Sequence, residues 1–303
     1  MSTALPVLNQ TAVPTAVNPA PMFKSPVRAM WNIQGDQVPT LWWPSREAPS
    51  SPPKEGRSLQ HTVLFMIPAS HLGHTAGSHV SEPSRLYSLQ EQVECKIAIM
   101  DKLFEIYPKG TRFILAGHSM GSWLALQVLK ARPNHGIERL FELFPTIHHI
   151  AETPNGRKMK SLFKPVTRSI LGGAVSTLRF IFSAPPVFQA IIGAFTGQDG
   201  EMSKVTSEQL LHSSVVKNCL YLAGQEMEQI KEMDISLLKE HASKFVFYYG
   251  KTDEWSPIEN YYEMQELFPE IKSFLCDQGM VHAFVLGHGE AMGLKVGAWI
   301  NEL

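Results

Sequence analysis

The run Gly117-His118-Ser119-Met120-Gly121, of the form Gly-x-Ser-x-Gly, constrains the fold more than any other feature. Residues 111–115 before it predict a short buried strand, and residues 122–131 after it have the apolar spacing of a helix. A serine on a tight turn between strand and helix is a nucleophile elbow, whose glycines permit close backbone approach. The alternative is a structural turn whose serine only caps the helix.

Two later turns offer an acid and a base for this serine. Residues 244–249 predict a buried strand that runs into Gly-Lys-Thr-Asp253, and His282 lies in a loop before a helical C-terminal segment. The order Ser119, Asp253, His282 is the Ser…Asp/Glu…His order of serine hydrolases with a nucleophile elbow. Asp is also common in ordinary turns, and the chain has 12 histidines. The alternatives kept open are Glu254 and Asp234 for the acid and His288 for the base.

Each predicted role follows from ordinary acid–base chemistry. The Ser119 hydroxyl is a weak nucleophile at neutral pH and needs a base in hydrogen-bond reach. We expect His282 to take that proton and later return it, and Asp253 to orient the imidazole and stabilise its cation. The backbone N–H of Met120, directly after the serine, is the first expected donor to the oxyanion.

Several further segments make the chain similar to the lipid droplet-associated hydrolase family, a branch of the α/β-hydrolases. The similarity spans residues 37–300, and Leu143-Phe144-Pro145-Thr146-Ile147 and Thr153-Pro154-Asn155-Gly156 are its most diagnostic pieces. The other matching pieces are residues 70–74, residues 89–96, the elbow, the Asp253 turn and residues 281–284. The resemblance implies an α/β-hydrolase fold, with a mostly parallel sheet, helices on both faces and an inserted helical cap. It also implies a serine esterase on lipid droplets and the endoplasmic reticulum, with neutral lipid esters such as sterol esters as proposed substrates.

The chain departs from this family directly after its first predicted core strand. The family has a Gly-Asn-Pro-Gly-like turn there, whereas here residues 61–68 run into Ala69-Ser70 and on to the loop at His71. One βα unit is therefore expected to be missing, as in a truncated splice form or gene model or a degenerate protein. The backbone N–H groups of Ala69 and Ser70 are the substitutes expected for the second oxyanion donor, with Ala69 as the first of the two. Loss of one such donor typically lowers kcat about 10²–10³-fold.

Composition narrows the functional class. A net charge of −1 predicts no nucleic-acid partner, and 44% hydrophobic residues suffice for a sizeable core. The three dispersed cysteines, Cys95, Cys219 and Cys276, argue for a reducing compartment. No metal or other cofactor is expected, since His71 and His74 are better explained as loop residues than as ligands.

The chain is expected to divide into three parts. Residues 1–30, rich in Pro, Ala, Thr and Val without a signal-peptide pattern, predict a disordered tail, with structure beginning near Trp31. Residues 31–146 and 241–303 predict the α/β core, including an edge strand at 38–43 and a helix at 88–107. Residues 137–144 fit either strand or helix. Residues 147–240 predict the helical cap.

The cap contains a long uncharged segment at residues 180–198, which Pro185-Pro186 interrupts. A straight transmembrane helix is not expected, and a helix–Pro–helix that dips into a membrane leaflet or droplet monolayer fits better. Lysines and arginines on its N-terminal side suit an anionic surface; they are Lys160, Lys164, Arg168 and Arg179. A buried lid over an acyl pocket is the alternative for this segment.

Two functions remain open from the sequence. The first is a serine esterase that cleaves lipid carboxylic esters at droplets by an acyl-enzyme mechanism. The second is a droplet-bound lipid-turnover or structural protein with weak or no catalysis, because its oxyanion turn is missing. Lipid ester and the droplet or membrane surface are the expected partners.

Overall fold

The computed structural model describes residues 27–33, 36–42, 62–68, 85–196 and 200–303. They belong to two units, within Met1–Leu59 and within Gln60–Leu303. In the first unit, strands β1 (Val27–Ile33) and β2 (Asp36–Trp42) pair antiparallel. The predicted strand at 38–43 is thus largely confirmed by β2. The prediction that the disordered tail extends to residue 30 is wrong, because β1 already begins at Val27. Apolar residues alternate along β1 from Val27, as in a strand. Its backbone hydrogen bonds to β2 offset the conformational entropy that the chain loses when the strand forms.

The second unit is built on a five-stranded sheet in which every neighbouring pair is parallel. Its strands lie in sequence order: β3 (Thr62–Ile67), β4 (Arg112–His118), β5 (Ile137–Leu143), β6 (Phe245–Tyr249) and β7 (Lys272–Leu275). The segment at 137–144, left open from the sequence, is therefore a strand up to Leu143. Parallel neighbours require long crossovers, and each crossover here contains at least one helix.

Helices cover both faces of this sheet. On one face, Trp299 of α10 (Gly289–Asn301) contacts Phe141 and Tyr248 with ring centroids 5.5 Å apart in each case. On the other face, Phe113 meets α1 (Leu89–Ile106), and Tyr249 meets α9 (Ile258–Leu267). The same face carries α2 (Met120–Ala131). The predicted α/β class is confirmed.

Helix α1 shows why its predicted limits, 88–107, were accurate to one residue at each end. The Ser88 hydroxyl accepts from the Glu91 backbone N–H, and the Glu91 carboxylate accepts from the Ser88 N–H at 2.7 Å. This reciprocal capping box satisfies two of the backbone donors that a helix start leaves open. Pro108 follows shortly after the C-terminal end and cannot continue the helix.

Strand β3 lies at an edge of the sheet. It pairs with β4 on one side, and the part of the chain that the structure describes supplies no strand for the other. Val63 and Ile67 are buried, whereas Leu64 and Met66 are 38% and 60% exposed. Residues 69–84, between β3 and α1, lie outside the described residues, so the missing βα unit stays a prediction.

Between β5 and β6 the chain forms a group of helices that fall within the predicted cap at 147–240. Its main helices are α3 (Pro154–Met159), α4 (Pro165–Ile181), α5 (Pro185–Thr196), α6 (Gly200–Val205), α7 (Ser213–Gln229) and α8 (Ile235–Glu240). Helix α7 packs on α4 and is tied to the core, since Asn218 accepts from the Tyr87 N–H at 2.9 Å. Gln225 accepts from the Leu89 N–H at 2.7 Å.

The long uncharged segment is divided where the prolines predict. Helix α4 ends at Ile181 and α5 begins at Pro185, so the segment comprises the end of α4 and all of α5. Prolines are tolerated in the first turn of a helix because the N–H they lack has no partner there. In the described part of the chain, no helix has both the length and the hydropathy needed to cross a bilayer.

Candidate active site

Ser119 occupies the sharp turn between β4 and α2. Its backbone has φ 55° and ψ −124°, a conformation that is strained for a residue with a side chain. A Cβ on Gly117 would lie 2.5 Å from Cα of Ser122, and one on Gly121 would lie 1.9 Å from the Ile67 carbonyl oxygen. Both glycines of the motif are therefore required sterically, as the nucleophile-elbow interpretation predicts.

The structure brings the three predicted side chains together. Nε2 of His282 lies 2.8 Å from Oγ of Ser119, and Nδ1 of His282 lies 2.6 Å from Oδ2 of Asp253. These distances fit a serine that donates to the imidazole and an imidazole that donates to the carboxylate. The three residues come from positions after β4, after β6 and after β7, which are the carboxyl ends of parallel strands.

The Asp253 side chain is fully buried and held in one orientation. Its Oδ1 accepts from the backbone N–H groups of Trp255 at 2.8 Å and Ser256 at 3.1 Å, so Oδ2 is left to face His282. Such a turn, in which an Asp side chain bonds the backbone two and three residues on, both forms the loop and orients the acid. The turn and catalytic interpretations of Asp253 are thus compatible.

The alternative acids and base lie in other contacts. Glu254 pairs with Lys158 at 2.7 Å, with both side chains substantially exposed. Asp234 caps α8 by accepting from the Leu237 N–H and also pairs with Lys130. His288 directly precedes α10, and its backbone N–H donates to the Phe284 carbonyl.

His118 is a site residue that the sequence analysis missed. Its Nε2 lies 2.8 Å from the backbone carbonyl of His282, and because a carbonyl only accepts, Nε2 carries the proton. Its ring packs on Phe284 at 4.4 Å between centroids. Burial lowers the pKa of His118 to about 4, and nearby His282 acts in the same direction, so the ring is neutral at pH 7. His118 thereby holds the loop that carries His282.

Replacing His118 with alanine is expected to slow the reaction of Ser119 with a fluorophosphonate about 10-fold, because losing one hydrogen bond of about 1.4 kcal/mol loosens the His282 loop. His118→Gln, whose amide can donate to the same carbonyl, is the matched variant and should keep most of the rate. Equal rates for wild type and both variants would contradict the positioning role.

The same residue predicts a pH dependence of stability. The unfolded chain binds a proton on residue 118 near pH 6.5, while the folded protein resists it down to about pH 4. The resulting free energy of unfolding, on the order of 3 kcal/mol, is present above pH 6.5 and is lost as the pH falls toward 4. Chemical denaturation of His118→Gln should lack this part of the profile, and an unchanged profile would contradict the argument.

Of the two expected oxyanion donors, the structure describes Met120 but not Ala69. Met120 is buried and is the first residue of α2, where backbone N–H groups have no partner within the helix. Its N–H follows the nucleophile directly. Ala69 lies outside the described residues, so the second donor stays a prediction.

Glu142, a second residue missed from the sequence, is buried in the apolar strand β5, and this burial raises the pKa of its carboxyl well above the ordinary value.

In the described ranges there is no group of three or more His, Cys, Asp or Glu that could hold a metal ion. His71 and His74 lie outside those ranges. Cys95 and Cys276 are buried, and neither forms a disulfide in the described part of the chain.

Comparisons with known proteins agree with this architecture. A profile described as lipid-droplet associated hydrolase matches residues 57–285. A "Lipid droplet-associated hydrolase" of Rattus norvegicus is 37% identical over 224 residues, which cover 74% of this chain and 67% of the rat protein. The protein of the same name from Gallus gallus is 30% identical, over 82% of this chain and 77% of its own length.

Among solved structures, a peroxisomal alpha-beta-hydrolase of Saccharomyces cerevisiae superposes with a TM-score of 0.57 at 13% identity. The superposition covers 92% of this chain and 89% of the yeast protein, and at this identity it bears on the fold alone. The assignment to a family rests instead on the extent of the profile match and on the sequence identity to the rat protein. By both measures, this chain is a member of the lipid-droplet associated hydrolase family, with an α/β-hydrolase fold.

Proposed function

We propose that the protein is a serine esterase that cleaves lipid carboxylic esters, such as sterol esters, at the surface of lipid droplets. The observation that carries the proposal is the continuous chain from Ser119 Oγ through His282 to Asp253, with contacts of 2.8 Å and 2.6 Å. Buried carboxylate, imidazole and hydroxyl in this order make up the arrangement that activates serine for acyl transfer.

In the proposed reaction, His282 removes the proton from Ser119 as the hydroxyl attacks the ester carbonyl. The Met120 N–H stabilises the resulting oxyanion, and His282 then protonates the departing alcohol. A water molecule, deprotonated by the same imidazole, attacks the acyl carbon. The bond between that carbon and Ser119 Oγ then breaks, the imidazolium returns the proton to Ser119 and the fatty acid is released. Asp253 keeps the imidazole in the tautomer that presents Nε2 to the serine.

The cap supports contact with a lipid surface. Helices α4 and α5 expose seven large apolar side chains, and a cluster of this kind is typical of a surface that contacts lipid or another protein. The exposed set is Val166, Ile170, Leu178, Phe180, Ile181, Val187 and Ile191, which we call the apolar cap face. Phe180 is 84% exposed, which favours insertion into lipid over a role as a buried lid. Lys160, Lys164 and Arg168 precede or join this face and suit an anionic surface.

The droplet monolayer, and the endoplasmic reticulum membrane as a peripheral or monotopic site, are the locations we propose. The names of the relatives support the droplet. One observation keeps a second candidate open, a droplet-bound protein with weak or no catalysis. Strand β3 is the edge strand of the described sheet, and Ala69, the residue expected to give the second oxyanion donor, follows it outside the described residues.

The proposal is tested by fatty-acid release from emulsified sterol ester, emulsified triacylglycerol and a soluble short-chain ester. We expect release from an emulsified ester to exceed release from the soluble ester, because lipid contact brings the site to its substrate. Asp253→Asn should lower every rate about 10⁴-fold by favouring the wrong imidazole tautomer. Equal release by wild type and Asp253→Asn would contradict the mechanism, and no release from any ester would favour the second candidate.

A further inference from the structure

A half-open cavity of about 500 Å³ lies where α4 ends and α5 begins, bordered on another side by the π-helical turn Thr206–Leu210. Its volume falls within the range of about 300–1,000 Å³ that is usual for small-molecule sites. The candidate active site uses none of the residues that line it. Six of these residues decide what the cavity can hold: Arg179, Phe182, Ser183, Phe188, Glu208 and His212.

Arg179 supplies this cavity with a cation that is held in place by its contacts. Nη1 of Arg179 donates to the backbone carbonyls of Ser207 and Leu211, and its guanidinium carbon lies 5.4 Å from the centroid of the Phe188 ring. These contacts use Nη1 alone, so among the described residues Nε and Nη2 remain to meet a ligand. An arginine held in this way is suited to bind phosphate oxygens.

The same cavity also contains an anion and an aromatic ring. Glu208 is exposed at the wall of the cavity, and its backbone carbonyl accepts from Nε2 of His212 at 2.9 Å. Phe182 contributes a half-buried ring. Because both line the cavity, the carboxylate can attract a quaternary ammonium group through charge and the ring can attract it through the cation–π interaction. A purely anionic ligand would be repelled by Glu208.

The position of the cavity indicates where such a ligand comes from. Phe180 and Ile181 of the apolar cap face directly follow Arg179 in the chain, and Val187 directly precedes Phe188. When the apolar cap face enters a lipid surface, the cavity lies at the level of the polar headgroups, because Arg and aromatic side chains adjoin the buried apolar ones.

We propose that this cavity binds a zwitterionic headgroup of the phosphocholine type, with Arg179 on the phosphate and with Glu208 and Phe182 on the quaternary ammonium. The inference rests on the proposed contact with a lipid surface. It adds a lipid-selective site to the apolar cap face, so the protein distinguishes phosphocholine monolayers from surfaces that present only anionic or uncharged groups.

The experiment is calorimetric titration of the full chain with dihexanoylphosphatidylcholine kept monomeric. Arg179→Gln and Glu208→Gln are each expected to lower its affinity about 10-fold, equivalent to about 1.4 kcal/mol for one charge-assisted contact. Arg157→Gln is the matched control, because Arg157 also lies in the helical segment between β5 and β6 but donates to the backbone carbonyl of Glu152 and does not line the cavity. Equal affinity in all four proteins would overturn the proposal, and exposed Glu208 keeps it testable should Arg179→Gln fold poorly.

Competition separates the possible ligand chemistries. Glycerophosphocholine should displace the bound lipid, whereas inorganic phosphate at equal concentration should not; equal displacement by both would indicate a simple anion site and overturn the proposal. Flotation with phosphatidylcholine vesicles separates this site from the apolar cap face. Arg179→Gln should keep residual vesicle binding, while Phe180→Ser should lose vesicle binding and still bind glycerophosphocholine, so failure of one inference does not imply failure of the other.

Discussion

Replacing Ser119 with alanine is expected to abolish labelling by a fluorophosphonate probe and to lower ester hydrolysis by a factor on the order of 10⁴–10⁶. The Ser119 hydroxyl is the group that His282 contacts, at 2.8 Å, and no covalent intermediate forms without it. Labelling is measured by gel fluorescence and hydrolysis by fatty-acid release. The fold should persist, because the change removes one atom from a position whose strained backbone stays the same.

Ser256→Ala is the matched control for this prediction. Ser256 adjoins the site, its backbone N–H donates to Asp253, and its hydroxyl has no hydrogen-bond partner in the described part of the chain. The variant therefore keeps the Asp253 turn and should label and hydrolyse like wild type. If Ser119→Ala labels as strongly as wild type, Ser119 is not the nucleophile. If wild type itself never labels while folded, the esterase proposal fails for this form and the non-catalytic droplet protein is favoured.

The second large effect is expected at the apolar cap face. Phe180→Ser combined with Ile181→Ser removes two side chains that are 84% and 61% exposed in the free protein. Because burying each in lipid contributes about 1.5–3 kcal/mol, their loss should weaken binding to artificial droplets more than about 100-fold. Flotation of the protein with phospholipid-coated triacylglycerol droplets measures this binding.

Tyr262→Ser combined with Leu267→Ser tests whether any loss of apolar surface has the same effect. Both residues lie on α9, are 57% and 44% exposed, and belong to the α/β core rather than the cap. This variant should bind droplets like wild type. Unchanged flotation of the Phe180/Ile181 variant, together with altered hydrolysis of a soluble ester, would instead indicate a lid over the acyl pocket.

Local patterns account for most of the sheet and its elbow. The strand, the two glycines and the following helix around Ser119 are adjacent in sequence, and only glycine fits where a Cβ would approach another backbone within 2.5 Å. The limits of α1 were predicted from the helical spacing of its apolar residues and from Pro108, which are also local features of the sequence. The strand β1 was missed because its stability comes from pairing with β2, which a tail-like composition does not reveal.

Non-local contacts decided the rest of the candidate site. Glu254 directly follows Asp253 and carries the same functional group, yet the turn buries one and exposes the other to Lys158. His118 was overlooked because its partner, the His282 carbonyl, lies 164 residues away in the chain. A backbone acceptor leaves no mark in residue identity, so the sequence contains no signal for this contact.

By itself, the sequence determined the nucleophile elbow, the order of serine, acid and histidine, the α/β class and the presence of a cap divided at Pro185. Those features depend on residues that are neighbours in the chain or repeat with the period of a helix or strand. Only the tertiary structure decided which acid and which histidine meet Ser119, and that the apolar cap face is exposed. Both outcomes depend on how distant segments pack. Parallel strands bring the ends of separate crossovers to one edge of the sheet, where the site residues meet. Which side of a helix stays in contact with solvent is likewise determined by packing.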